Sequence, residues 1–262
     1  MDLQQLTSSV SQIAKEAGEF IRQQRKTFSA DKIEVKGLND LVSYVDKTAE
    51  EQIVAALSKV LPEAGFITEE KTINKTGERY NWIIDPLDGT TNFIHGLPVF
   101  SVSIALQEYN ELVSGVVYEV NQDECFYAWK GSPAYLNGRE IKVSDNKTLD
   151  KCLLATGFPY YNFDKQQGYI ELFTELMKSC HGLRRLGSAA VDLAYTACGR
   201  FDGYYEYNLN PWDVAAGILI VRQAGGQVVN FKGGEECLNS RELLATNGLI
   251  TKEMLSVIQK YF

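Results

Sequence analysis

The chain reads as an α+β protein folded into a layered α/β sandwich. Two stretches with apolar residues at helical spacing open it, closely spaced strands fill its middle, and helices alternate with short strands beyond Lys151. Neither a low-complexity linker nor an internal repeat interrupts these parts. An N-terminal half (1–150) and a C-terminal half (151–262) are therefore expected to pack as one compact unit.

Leu3, Leu6, Val10, Ile13, Ala14, Ala17, Phe20 and Ile21 recur at helical spacing and predict an amphipathic first helix. Val45, Ala49, Ile53, Val54, Leu57 and Leu61 predict a second, ending close to Pro62, with Asp46 near its start. Phe66-Ile67 is a short apolar pair before two carboxylates, Glu69 and Glu70. Trp82-Ile83-Ile84 has the character of a buried strand, expected to end near Asp85 because Pro86 cannot donate to a sheet. Gly89, Thr90 and Thr91 then supply a turn and capping hydroxyls for a helix start. Strands follow over 99–106, 112–120 and 124–129, and 131–139 reads as a turn-rich connection. In the second half, helices are expected over 170–177, 189–197, 214–224 and 250–258, with strands over 227–231 and 243–246. Ser188 is a natural N-cap, and Pro211 suits the first turn of the helix that carries Asp213.

Composition narrows the function. The 262 residues are 45% hydrophobic and 23% charged, ordinary values for a globular protein. A net charge of −8 without a Lys/Arg cluster argues against a nucleic-acid surface. Arg184-Arg185 is the densest basic pair near the later motifs, and its default reading is exposed or salt-bridged. No run approaches the roughly 18 apolar residues that span a bilayer. Residues 1–10 lack the charged start and apolar stretch of a signal peptide. Five scattered cysteines without a C-x-x-C pair favour reduced thiols and a cytoplasmic location. Two histidines are too few for a histidine metal site, and His95 is expected to pack or hydrogen-bond after the motif turn.

The run from Trp82 to Gly96 carries most of the functional signal. Asp85 and Asp88 sit three residues apart behind a hydrophobic strand and directly before Gly89-Thr90-Thr91. Carboxylates at a strand end beside free N–H groups at a helix start suit a metal ion and a phosphate held together. Taken alone, such a run serves a plain turn as readily as a catalytic site. Glu69-Glu70 and the segment Pro211-Trp212-Asp213 add two more acidic element ends. One intervening residue fewer would suit an aspartyl-phosphate enzyme. Two residues, Pro86 and Leu87, separate the aspartates here, which favours ligands over a nucleophile.

In these residues the chain resembles the inositol monophosphatase family over nearly its full length. The resemblance rests on Asp40-Leu41-Val42-Ser43 with Asp46, on Thr68-Glu69-Glu70, on Asp85 to Phe93, and on Pro211 to Gly217. The Thr91-Asn92-Phe93 ending is similar to the inositol phosphatase branch. The fold so implied is a layered α-β-α-β-α sandwich of the sugar-phosphatase (inositol monophosphatase/fructose bisphosphatase) type, with Asp213 of the second half reaching metals held by the first. Position by position, the resemblance implies that Glu69, Asp85 and the Leu87 carbonyl bind one Mg²⁺. Asp85, Asp88 and Asp213 would bind a second, and a third entering with substrate is left open. Thr90, held by Asp46, and Glu69 would orient and deprotonate water, and the Gly89 and Thr90 N–H groups would cradle phosphate. Ser188, Ala189 and Glu206 would contact the sugar or inositol ring, and Lys36 matches a lysine near the metals. A homodimer is also implied.

The implied chemistry is Mg²⁺-dependent hydrolysis of a small phosphate monoester by metal-activated water. Myo-inositol monophosphate is the first substrate. Fructose 1,6-bisphosphate, 3′-phosphoadenosine 5′-phosphate, NADP and histidinol phosphate are alternatives. Uncatalysed monoester hydrolysis calls for up to ~10²¹-fold acceleration, beyond the ~10²–10⁴ of a single general base. A weakly catalytic binding or regulatory protein on the same scaffold is the rival class. Clustered, mutually repelling carboxylates count against it.

Overall fold

The computed structural model describes residues 1–28, 33–37, 40–159 and 163–262, with the backbone alone for 33–37 and 40–42. Helix α1 (Leu3–Thr27) starts on Asp2, whose side chain accepts from the Gln5 N–H, and it buries Leu6, Val10, Ala14, Ala17 and Ile21. A short antiparallel pair, β1 (Ile33–Gly37) and β2 (Asp40–Ser43), leads into α2 (Tyr44–Val60). Ser43 and Asp46 form a reciprocal capping box at the start of α2, satisfying N–H groups that a helix end otherwise leaves unpaired.

α1 and α2 cover one face of a seven-stranded sheet, and their apolar stripes meet Trp82, Ile84, Phe66 and Val102 in the first core. The sheet runs β3 (Gly65–Thr68), β4 (Tyr80–Asp88), β5 (Ser101–Glu108), β6 (Glu111–Glu119), β7 (Glu124–Trp129), β8 (Ala134–Leu136) and β9 (Arg139–Ile141) in spatial order. Within this sheet, among the described residues, only β3 and β4 pair in parallel. Residues 131–139, expected as a turn-rich connection, instead hold β8 and the start of β9. Strands of three residues are too short for alternation to show, and Gly131, Pro133 and Gly138 give the segment a loop's composition.

β4 does not stop near Asp85. It continues through Pro86 to Asp88, with Asp85 opposite Ser103 and Asp88 opposite Ser101. Pro86 and Leu87 therefore stand against a single residue of β5, a bulge in which proline breaks no regular ladder. Ser103 and Ser101 are two apart, so their partners Asp85 and Asp88 emerge on one face of the sheet. Three residues along a regular strand would have put them on opposite faces.

A second sheet of five strands has the order β11 (Gly182–Arg184), β10 (Leu153–Thr156), β12 (Gly203–Tyr207), β14 (Glu242–Thr246), β13 (Gln227–Val229). α5 (Ala189–Ala197) and α6 (Pro211–Gln223) lie between the two sheets in the second core, which includes Ile83, Val117, Leu193, Ile218 and Leu243. Apolar on all sides, α6 buries every residue from Val214 to Val221, as a helix clamped between two sheets must. α4 (Gln166–Ser179) and α7 (Thr251–Ile258) cover the far face of the second sheet around Leu172, Leu176, Phe231 and Met254. The layers are thus α-β-α-β-α. The middle helical layer brings Asp213, at the start of α6, to the carboxylates of β4.

Candidate active site

A cavity of about 450 Å³ opens where the end of β4, the starts of α5 and α6, and the ends of β10 and β12 meet. Glu69, Asp85, Leu87, Asp88, Gly89 and Thr90 line it from the first half, and Ser188, Ala189, Glu206 and Asp213 from the second. Asp46 stands behind this wall and reaches it through Thr90. Lys36 falls on β1, and its side chain lies outside the described residues.

Local chemistry holds each group. Asp85 Oδ1 accepts from the Leu87 N–H at 2.9 Å across the bulge. Gly89 caps the six-residue helix α3 (Thr90–His95) in a left-handed conformation (φ 97°), open to glycine and costly for other residues. The Thr90 and Thr91 hydroxyls do not cap as expected: among the described residues no side chain caps α3. The Thr90 hydroxyl lies instead 2.9 Å from Asp46 Oδ1 and 3.1 Å from the Leu87 carbonyl, able to donate to either. Ser188 caps α5 as expected, but its hydroxyl also donates to Asp88 Oδ2 at 2.5 Å, beside the Ala190 N–H at 2.7 Å. Asp213 Oδ2 accepts from the Asn210 N–H at 2.7 Å. His95, expected to pack or hydrogen-bond, is exposed and so does not pack.

The electrostatics are those of several acids crowded onto one cavity. Burial, then repulsion from Glu69, Asp88 and Asp213, drives Asp85 well above the usual carboxylate range. Burial lifts Asp88 to about 6 against its Ser188 and Ala190 bonds, and Asp213 to about 7. Glu206 rises to about 8 through burial, with Asp213 and Asp88 adding repulsion. Asp46 is also raised by burial, which its bonds to Ser43 and Thr90 oppose.

Such a set suits a hard divalent cation, since oxygen ligands and unbalanced negative charge are what Mg²⁺ requires. As the side chains stand, no three His, Cys, Asp or Glu groups among the described residues are gathered tightly enough to grip an ion, and Glu69 and Asp85 share a hydrogen bond. A proton between two carboxylates offsets the repulsion that a cation would otherwise relieve. The donor chemistry therefore fits the ion, with the shared proton as its competitor.

Several contributors were not visible in the sequence. Glu50, fully buried one turn after Asp46, accepts from the Glu70 and Thr72 N–H groups, each at 2.8 Å, and so anchors the loop that follows Glu69. Asp192 is 1% exposed, lines the cavity and leaves Oδ1 without a hydrogen-bond partner among the described residues. An aspartate inside the apolar run Ala189–Ala197 was the available signal for it. Both members of the basic pair are exposed, as expected, and Arg185 also lines the cavity, its guanidinium 5.7 Å from the Phe158 ring centre.

Fold and site together define a phosphatase of the layered sugar-phosphatase type. Residues 2–261 match the model of the inositol monophosphatase family, and the chain belongs to that family. Over 256 residues it is 38% identical to an inositol-1-monophosphatase of Mesorhizobium japonicum, covering 97% of this chain and 96% of that one. It is 43% identical over 244 residues to the Nus factor SuhB of Escherichia coli, covering 93% and 91%. The crystal structure of the extragenic suppressor protein suhB from Bartonella henselae superposes with a TM-score of 0.91 at 39% identity, covering 97% and 98% of the two chains.

Proposed function

We propose that the protein hydrolyses the phosphate monoester of a small polyol, with myo-inositol monophosphate as the preferred substrate. The observation that carries this reading is the acidic group of buried Asp85 with half-buried Asp88 and Asp213, drawn from both halves onto one cavity beside Thr90 and Glu206. Glu69, Asp85, Asp88, Asp213 and the Leu87 carbonyl are the groups that would hold Mg²⁺. When bound, the ion would polarise the phosphate and lower the pKa of water. Asp46 holds the Thr90 hydroxyl, and Thr90 with Glu69 orients the attacking water and receives its proton. The N–H groups of Gly89 and Thr90 face the phosphate, and Glu206 with the start of α5 at Ser188-Ala189 faces the ring. A cytoplasmic homodimer completes the reading. The five free cysteines suit a reducing compartment, and sedimentation velocity reads the dimer.

Phosphate release with and without Mg²⁺ tests this on myo-inositol 1-phosphate, glycerol 2-phosphate, fructose 1,6-bisphosphate, adenosine 3′,5′-bisphosphate, NADP and histidinol phosphate. Highest kcat/KM on the inositol ester is expected. A better rate on another ester moves the substrate and keeps the chemistry.

A second reading rests on the relatives named Nus factors: the chain has a macromolecular partner in addition to its small substrate. An Asp213→Asn variant that restores a deletion strain without phosphatase turnover would favour it.

A further inference from the structure

Gly157 follows the end of β10 and lines the cavity. A methyl group built on its Cα would overlap the Glu206 carboxylate, both oxygens and Cδ. The carboxylate therefore lies flat against bare backbone. Gly157 does not have the left-handed backbone that favours glycine, so what glycine supplies at this position is space.

Both partners are pinned from behind. The Tyr204 hydroxyl donates to Glu206 Oε2 at 2.5 Å. From α4, the hydroxyl of Tyr169, a side chain 2% exposed, donates to the Gly157 carbonyl at 2.5 Å. The Thr156 hydroxyl stands between Tyr169 Oη and the Tyr205 carbonyl, 2.9 Å from the latter, and can donate to either, while β10 pairs directly with β12. With Gly157 held on its strand, an added methyl group would push the Glu206 carboxylate, the far end of a side chain, off its seat and away from the Tyr204 hydroxyl.

We propose that Gly157 is a specificity-determining positioning residue. Its missing side chain seats the Glu206 carboxylate where it meets ring hydroxyls, and so selects polyol phosphates over esters whose leaving group carries none. This rests on the polyol-phosphate reading above.

The test compares myo-inositol 1-phosphate with phenyl phosphate, which offers the same phosphate on a ring without hydroxyls, in the full-length Mg²⁺-loaded protein. Gly157→Ala is expected to lower the ratio of the two kcat/KM values about tenfold, the worth of roughly one hydrogen bond, mainly by raising KM for the inositol ester. Added to Glu206→Ala, the same change should leave the ratio where Glu206→Ala alone puts it. An unchanged ratio, equal losses on both substrates, or a full loss persisting in the Glu206→Ala background overturns the proposal. Should Gly157→Ala not fold, Tyr169→Phe keeps the ring and releases the Gly157 carbonyl, and it must produce the same one-sided KM rise; none, or a symmetric one, overturns it equally. Wild-type protein that cleaves phenyl phosphate as well as the inositol ester overturns the polyol reading and this inference with it. Wild-type preference for inositol with an indifferent Gly157→Ala overturns the inference alone.

Discussion

Replacing Asp46 by asparagine reverses one hydrogen bond and little else. Its Oδ2 accepts from the Ser43 N–H at 2.9 Å and from the Ser43 hydroxyl at 2.7 Å, and its Oδ1 faces the Thr90 hydroxyl at 2.9 Å. A backbone N–H cannot turn round, so the new amide must keep its oxygen on Ser43 and present its NH₂ to Thr90. The Thr90 hydroxyl then accepts from that amide and sends its own proton to the Leu87 carbonyl, 3.1 Å away. A hydroxyl so committed no longer passes a water proton toward a carboxylate. Losing a charge-assisted hydrogen bond is worth about 1.5–3 kcal/mol, so kcat should fall roughly 10- to 100-fold. Stability should barely change, because the capping box survives and a charge disfavoured by burial is removed; a Tm shift within about 4 °C is expected. Ser43→Ala is the control, costing a cap at about 1 kcal/mol without touching the Thr90 bond. Steady-state phosphate release and thermal melts of both variants decide. Full kcat in Asp46→Asn, or an equal kcat loss in Ser43→Ala, would refute the reasoning.

The remaining predictions concern charge and loop anchoring. Asp88, Asp213 and Glu206 are raised to about 6, 7 and 8 in the fold, so between about pH 4 and pH 8 the native state holds protons that the unfolded chain has released. Stability in EDTA should therefore be highest near pH 4–5 and fall as pH rises to 8, with Mg²⁺ recovering it at pH 8; melts in EDTA that rise with pH would contradict this. Asp213→Asn should lose at least about 100-fold in Mg²⁺-dependent turnover, yet melt higher than wild type in EDTA at pH 8, because one repelling carboxylate is gone. Glu50→Ala strips the acceptor from two backbone N–H groups at about 1–3 kcal/mol each. Earlier proteolysis around residues 69–72 and lower kcat should follow, while an unaltered digestion pattern would deny Glu50 its anchoring role.

Helical spacing made the buried stripes of α1 and α2 legible, because a residue's place on a helix is set by its neighbours three and four along. The acidic motifs were legible as element ends. The bulge that turns Asp85 and Asp88 to one face was not, since it exists only relative to Ser101 and Ser103 on another strand. Glu50 looked like any helix carboxylate, and only the loop amides that arrive beside it show its purpose. Gly157 was equally silent. Its reason is a side chain 49 residues away, and no backbone peculiarity marks it. Strands of three residues such as β8 and β9 fall below the length at which any period can be read.

Asp46 and Glu50 lie one turn apart on α2, one reaching the Thr90 turn and the other the loop after Glu69. A single rigid rod thus registers two segments against each other. Fraying of the first two turns of α2 lets go of both in one event, although neither sheet need open. Competence is consequently tied to the local opening free energy of one helix end, which lies below that of global unfolding. A population can be fully folded by any bulk measure and still contain molecules disarmed in this way, and hydrogen exchange at the Glu70 and Thr72 amides would count them.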